Sequence, residues 1–364
     1  MRVGVLAVDG ARNLAPLRLE PRERFNVFVG DNGQGKTNLL EALYAVATLR
    51  SFRTSRLADL VAFARTEAKL GARVTKLGTT HLYELELAHG SRRVRLDDKA
   101  VRPLARYFGE FNVVVFTPED LGLARGAPSD RRRFLDRAVF NARPEYLATV
   151  QDYEKVLKQR ASVLRMNAQG TLAAGKLDEL LAVYDRQLVE LGIAIARARV
   201  AYVESIAGEV ASAFDTIART PHRAVVRYHA TLAATVDDAL AQLRAGRARD
   251  LATQSTHVGP HRDDLVFLLD DREAGAFASQ GQLRAIMLAW KTAELVVLER
   301  DRGDAPILLL DDVSSELDPS RNEYLFEHLA KRAGQCFITT THASHVLMRA
   351  ERADYRVENG RILE

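Results

Sequence analysis

Hydrophobic positions in the first hundred residues recur mostly with a period of two. Val3, Val5 and Ala7 alternate with polar or small residues, and Phe25–Val29 is a short apolar run, so residues 1 to 30 predict two strands. Leu39, Leu40, Ala42, Leu43, Val46 and Ala47 then follow helical spacing. Tyr83, Leu85 and Leu87, followed by Val94 and Leu96, restore the alternation, and Val113–Phe116 is continuous enough to predict a buried strand. The period changes near residue 120. Tyr146, Val150, Tyr153, Leu157 and Leu164 predict one face of a long helix, with Glu154, Lys155, Lys158 and Arg160 elsewhere on it. After a polar break at Asn167–Gly170, the series Leu177, Leu180, Leu181, Tyr184, Leu188, Leu191 and Ile195 predicts a second helix reaching toward residue 218. Two long helices joined by a short polar turn predict an antiparallel hairpin, a stubby arm. Strand patterns return at Val225–Tyr228 and Leu265–Leu269. The chain then closes with a helix near 281–300, a strand at Ile307–Leu310, a helix near 320–332 and a strand at Cys336–Thr340. That alternation predicts parallel strands in an α/β core.

Composition narrows this only a little. The net charge of +4 is compatible with a phosphate-rich partner, although arginine- and alanine-rich usage alone would give the same excess. The single cysteine, Cys336, excludes an intramolecular disulfide and a four-cysteine zinc site. No run of about 18 uncharged apolar residues is present, and the N-terminus alternates like a strand rather than a signal core. The expectation is a cytoplasmic protein with no membrane partner.

The sharpest chemistry lies in Gly30-Asp31-Asn32-Gly33-Gln34-Gly35-Lys36-Thr37, a complete G-x-x-x-x-G-K-[ST] between an apolar strand and an amphipathic helix. Glycines let backbone N–H groups turn inward around phosphates, and the helix N-terminus adds partial positive charge. Lys36 is expected on the β- and γ-phosphates of ATP and Thr37 on Mg²⁺. Ile307–Leu310 runs into Asp311 and Asp312, which places carboxylates at the carboxyl end of a sheet. Asp311 is the expected metal ligand, and Asp312 the group that orients the attacking water. Upstream, Ser279-Gln280-Gly281-Gln282 opens an amphipathic helix, a pattern that serves equally as a helix cap or an anion-binding edge. Downstream stand Ser315-Glu316-Leu317-Asp318 and then His342 at a strand end, a histidine open to a structural or a sensing role.

In this order the motifs resemble the ATP-binding-cassette class. The resemblance implies that Ser279, Gly281, Gln282 and Asp318 help bind nucleotide, with Ser279 and Gly281 closing over the ATP of a second protomer. It also implies that His342 senses the γ-phosphate. The long separation of Lys36 from Ser279, filled by the arm, resembles the SMC-like branch. Within that branch the blocks Gly30–Ala42, Thr117–Leu121 with Arg131–Asp136, Gly259–Asp264, Ser279–Gln282 and Leu309–Asp318 resemble the RecF family over nearly the whole chain. Asp312 stands where many cassette ATPases have glutamate, and no cassette glutamine is evident near residues 113–120.

The implied fold is an α/β ABC-type ATPase head, with a mixed β lobe, a parallel α/β core and a helical second lobe carrying a short antiparallel arm. Residues 1–120 would form the first lobe with the phosphate loop. Residues 121–300 would form the second lobe with the arm and signature helix, and 301–364 would return to the first. The implied activity is a weak, DNA-stimulated ATPase whose ATP-dependent homodimer binds double-stranded, gapped or junction DNA. With RecO and RecR it would help load RecA onto DNA covered by single-strand-binding protein. An ATPase subunit energising a transporter and a structural SMC-like chromosome protein are the alternatives. Arg131, Arg132 and Arg133, Arg53 and Arg56, and the arm residues Lys155, Lys158 and Arg160 are candidate phosphate contacts, each equally readable as a solvated face or an ion pair.

Overall fold

In the computed structural model, which describes residues 1–54, 56–88, 90–102, 104–173, 175–332 and 334–363, the early alternation becomes a six-stranded antiparallel sheet. Its order is Leu17–Leu19, Arg2–Asp9, Glu67–Lys76, Thr79–Ala88, Ser91–Leu96, Lys99–Ala100. Leu85 pairs with Val94 and Tyr83 with Leu96, so the predicted apolar faces coincide. The first strand corrects the simple alternation. A bulge lies between Val3 and Val5, whose partners Val74 and Arg73 are adjacent. One extra residue reverses which side chains face inward, and beyond it Leu6 and Val8 join the core while Ala7 is only half-buried. The short strand Leu17–Leu19, absent from the sequence expectation, pairs with the far half of the first.

The second sheet runs Arg361–Leu363, Arg352–Glu358, Phe25–Val29, Cys336–Thr340, Ile307–Asp311, Val113–Phe116. All neighbours are parallel except the terminal pair. The helix Lys36–Thr48 follows Phe25–Val29 and buries every residue from Leu39 to Thr48. One apolar cluster joins it to both sheets, with Leu6, Leu43, Val46, Leu85, Val113, Leu309 and Phe337 among its members. These elements belong to a first compact unit, Met1–Gly122, Thr216–Arg219 and Arg284–Glu364.

The second unit comprises Leu123–Asp215 and Thr220–Leu283. It carries the arm helix Tyr146–Ala168, the arm helix Lys176–Ala218 except for its last three residues, and a three-stranded antiparallel sheet ordered Arg272–Glu273, Asp264–Leu269, Ala224–His229. The arm helices run in opposite directions. Tyr146 meets Arg199, Arg160 meets Asp185, and Leu164 packs with Leu181 nearest the turn. The buried residues on the first arm helix are Tyr146, Leu147, Tyr153, Val156, Arg160, Val163 and Leu164, with Val150 and Leu157 only half-buried. Arg160 is therefore inside, contrary to its expected place on the solvated face. It is 0% exposed and bonds Asp185 at 2.6 Å, Asp250 at 2.8 Å and Thr256 at 2.8 Å. Two carboxylates and a hydroxyl make burial of the charge tolerable.

The Gly259–Asp264 block also has a structural explanation. Arg199 donates to Asp136 and to the Pro260 carbonyl, Tyr153 bonds His261, and the buried Asp263 accepts from Tyr228 and Thr231. This turn thereby ties both arm helices to the three-stranded sheet and to the helix Pro128–Ala142.

Candidate functional site

Five parallel strands of the first unit end on one side of the sheet, and their carboxyl ends carry the site. Phe25–Val29 leads into the phosphate loop, Ile307–Asp311 into Asp312, and Cys336–Thr340 into His342. Val113–Phe116 leads into Thr117–Glu119, and Arg352–Glu358 into Asn359-Gly360. Neighbouring strands are about 4.8 Å apart, so residues far apart in sequence become neighbours here.

Gly30 permits a close backbone approach, since a Cβ there would lie 2.3 Å from the Val357 carbonyl oxygen. Gly35, at φ +108°, precedes the first helical residue in a conformation that other residues rarely adopt. Lys36 is 6% exposed and donates to the carbonyls of Gly30 at 2.6 Å and Asp31 at 2.9 Å. Burial holds its pKa below the ordinary lysine value, against the opposing pull of Asp312, Asp311 and Asp31. A desolvated ammonium under an open loop gains most from an incoming phosphate.

Thr37 Oγ1 donates to Asp311 Oδ1 at 2.7 Å, and Thr339 Oγ1 donates to the same oxygen at 2.8 Å. Burial raises the Asp311 pKa above its ordinary value. The two hydroxyls oppose that shift, and the nearby Glu119 carboxylate adds to it. Asp312 adopts the left-handed backbone, φ 49°, between the strand and the short helix Val313–Glu316. Its N–H bonds the Thr339 carbonyl and hydroxyl, while its buried Oδ1 has no hydrogen-bond partner among the described residues. An unsatisfied carboxylate oxygen beside a shared hydroxyl–carboxylate pair fits a bound ion or an oriented water. Among the described residues, no three His, Cys, Asp or Glu side chains could hold a metal by themselves. A magnesium ion, which keeps waters and takes phosphate oxygens, needs no such cage. Thr37 and Asp311 fit that mode.

His342 is exposed. Its N–H and carbonyl both engage Thr340 Oγ1, and its ring meets His345 edge-on at 5.4 Å. Thr340 pairs with Val29, and the Gly30 N–H points at the Thr340 carbonyl, so the His342 loop begins beside the phosphate loop. Arg352 braces this loop by donating to the carbonyls of Ala343, Val346 and Met348.

Supports that no sequence pattern flagged complete the loop. Asn13 donates to the Gly33 carbonyl at 2.9 Å and accepts from Asn38 at 2.7 Å. Gln34 receives the N–H groups of Asn359, on its side chain, and Gly360, on its carbonyl. Glu41, fully buried on the phosphate-loop helix, is held by Arg12, Ser51 and Arg53. Asp318 caps the helix Pro319–Arg332, accepting from Ser320, Arg321 N–H and the Arg321 guanidinium. Burial works to raise its pKa, but these donors prevail and hold it low.

The second unit holds Ser279, Gly281 and Gln282. Ser279 Oγ accepts the Gln282 N–H at 3.2 Å, and the Gln282 side chain accepts the Ser279 N–H at 2.8 Å. This reciprocal capping box opens the helix Gln280–Arg302. Ser279 and Gln280 are exposed, and Gly281 and Gln282 half-exposed. They belong to the second unit, whereas the loop, Asp311, Asp312, Asp318 and His342 belong to the first.

Of the candidate phosphate contacts, Arg160 is excluded by its burial. Arg131 is engaged by Asp264 at 2.8 Å and Arg132 by the Asp263 carbonyl at 2.9 Å. Arg133 is exposed and pairs with Asp130, and Arg56 is exposed and pairs with Asp59. Arg53 is exposed and pairs with Glu41, and Lys155 and Lys158 are exposed. Among the described residues no helix is long and apolar enough to cross a membrane.

The sequence profile of the RecF/RecN/SMC N terminal domain matches residues 3–361. The chain is 42% identical to the DNA replication and repair protein RecF of Myxococcus xanthus, over 97% of this chain and 94% of that one. It is 38% identical to the RecF of Citrifermentans bemidjiense over the full length of both. A solved structure described as the recombination mediator protein RecF-ATP in the RecFOR pathway superposes with a TM-score of 0.89, at 29% identity, covering 99% of this chain and 96% of that one. An Smc head bound to the C-winged helix domain of ScpA, at TM-score 0.56 and 13% identity over 100% and 98% of the two chains, shares the fold alone.

Proposed function

The chain belongs to the RecF/RecN/SMC N-terminal domain family as a RecF-type DNA replication and repair protein, and we propose that it is an ATP-operated DNA clamp of recombinational repair. The observation that carries this reading is the Thr37–Asp311 bond beside the unsatisfied Asp312 oxygen, under a complete phosphate loop. ATP would take over the donors that Lys36 spends on the Gly30 and Asp31 carbonyls. Thr37 and Asp311 would hold magnesium. When bound, that ion supplies positive charge against the β- and γ-phosphates. Asp312 would orient the attacking water and accept its proton, and His342 would read the γ-phosphate from the neighbouring strand end.

Ser279 supports the two-chain part of the reading. Its helix start is exposed and preformed by the capping box, so a second copy could present it to phosphate without rearrangement. Two protomers would close on two ATP molecules, grip double-stranded, gapped or junction DNA, and part after slow hydrolysis stimulated by DNA. Asp312, one methylene shorter than glutamate, suits a slow step. A relative is described as a recombination mediator in the RecFOR pathway, and RecO and RecR are the proposed partners here, acting on RecA loading.

Anisotropy of labelled gapped duplex across about 50 to 200 mM salt, with and without ATP and Mg²⁺, tests the proposal. It predicts tight binding with a steep salt slope only when ATP is present. Equal binding without ATP would overturn it.

A further inference from the structure

A phosphate loop binds through N–H groups that point inward, and in a trans peptide the carbonyl points the opposite way. Holding a carbonyl from outside therefore aims the N–H of the next residue. Two successive carbonyls of this loop are held in that manner. The Gly33 carbonyl accepts from Asn13 Nδ2 at 2.9 Å, and its peptide carries the Gln34 N–H. The Gln34 carbonyl accepts the Gly360 N–H at 2.9 Å, and its peptide carries the Gly35 N–H. The Asn359 N–H bonds the Gln34 side chain at 2.6 Å, and the Ala15 N–H returns to the Gly360 carbonyl at 3.0 Å.

Asn359 and Gly360 make a two-residue turn between the paired Glu358 and Arg361, with φ of 49° and 75°. Positive φ at both centres is a type I′ turn, a conformation that asparagine as well as glycine accepts. The contact with the loop is more demanding than the turn. A Cβ on residue 360 would lie 2.0 Å from the Asn13 carbonyl oxygen and 3.1 Å from the Ala15 nitrogen, and one on residue 35 would lie 3.0 Å from Asn13 Oδ1. The three segments meet closely because these two positions carry no side chain.

We infer that Asn13 and the turn Asn359-Gly360 are positioning residues that aim the Gln34 and Gly35 N–H groups at phosphate before nucleotide arrives. The inference rests on the proposed binding of ATP at this loop. A loop already aimed loses little freedom when its ligand binds. The α- and β-phosphates that such loops cradle are common to ATP and ADP, so the brace acts on both alike.

Isothermal titration of the full chain with Mg-ADP and Mg-ATP tests this. Gly360→Asn suits the turn but drives a Cβ into Asn13, and Asn13→Ala releases the Gly33 carbonyl from the other side. Each should weaken both nucleotides equally, by about tenfold. In steady-state hydrolysis KM for ATP should rise by the same factor while kcat stays within about twofold, because bound phosphates hold the loop once seated. A variant that only lost folded protein would lower kcat and leave KM alone. Wild-type affinity in either folded variant, beside loss of binding in Lys36→Met, overturns the brace and leaves the nucleotide site standing. Should Gly360→Asn fail to fold, Asn13→Ala decides by the same rule. If the wild-type chain binds neither nucleotide, the reading of the loop falls, and the brace with it.

Discussion

Thr37 and Asp311, separated by most of the sequence, share a hydrogen bond of 2.7 Å between hydroxyl and carboxylate. The bond joins the end of the phosphate loop to the end of the strand Ile307–Asp311, and Thr339 from a third strand donates to the same oxygen. A metal at this point would exchange one hydrogen bond for a ligand on each partner, with little movement of either chain segment.

The Asp311 carboxylate gives the site a defined pH behaviour. Because burial raises its pKa, the folded protein retains a proton just above the ordinary aspartate value of 3.8, where the unfolded chain has lost it. Stability without nucleotide should therefore decline as pH rises from 3.8 through the raised pKa. Affinity for ATP with Mg²⁺ should increase over the same window, since metal binding needs the carboxylate. Melting curves with and without Mg-ATP across this range check both signs. Asp311→Asn should remove the pH dependence of each and raise the nucleotide-free melting temperature by about 2 °C.

Replacing Asp312 separates binding from hydrolysis. Asp312→Asn keeps the backbone bonds to Thr339 but removes the proposed proton acceptor. Hydrolysis should fall by about 10² to 10⁴-fold, while ATP-dependent dimers and DNA complexes persist longer. Phosphate release and DNA dissociation rates, measured on one preparation, decide this.

Lys36→Met should reduce ATP affinity by at least about 100-fold, the loss of roughly two charge-assisted hydrogen bonds. The phosphate-loop helix buries every residue from Leu39 to Thr48, so circular dichroism should be unchanged. Isothermal titration with ATP provides the measurement.

Arg160→Met should destabilise the second unit by about 3 to 5 kcal/mol, because Asp185 and Asp250 would be left as buried charges without their cation. Urea denaturation followed by tryptophan-independent circular dichroism reads the loss. Lys155→Ala and Lys158→Ala are exposed and should leave stability within about 0.5 kcal/mol. If the arm touches DNA, each would lower the magnitude of the salt slope by about one.

The phosphate loop was legible because its eight residues are contiguous and their chemistry depends on local backbone conformation. Asp311 and Asp312 were legible as the carboxyl end of a parallel strand because an apolar run that ends in two acids stands out beside a complete phosphate loop. The arm was legible because its helical period persists long enough to outweigh local exceptions. What escaped depends on long-range packing. Nothing local distinguishes Arg160 from the exposed Lys158, because the two carboxylates that bury it come from other helices. The bulge at Gly4 shifts a strand by one residue without altering its composition. Asn359 reaches the phosphate loop because the sheet order sets Arg352–Glu358 beside Phe25–Val29, and Asn13 reaches it from the loop after the first strand of the other sheet. The family-like glutamine missing near residue 120 leaves Glu119 at that strand end, where its charge acts on Asp311.

A mixing experiment tests the two-chain site most directly. Lys36→Ala removes the lysine of the phosphate loop, and Ser279→Arg removes the proposed contact to a partner's ATP, so each variant alone should hydrolyse almost no ATP. In an equimolar mixture, one site of each mixed dimer pairs an intact Lys36 with an intact Ser279. Hydrolysis should rise well above the sum of the two variants and depend on the square of protein concentration while dimers are scarce. Activity of the mixture equal to that sum, or full activity of Ser279→Arg alone, would contradict the account.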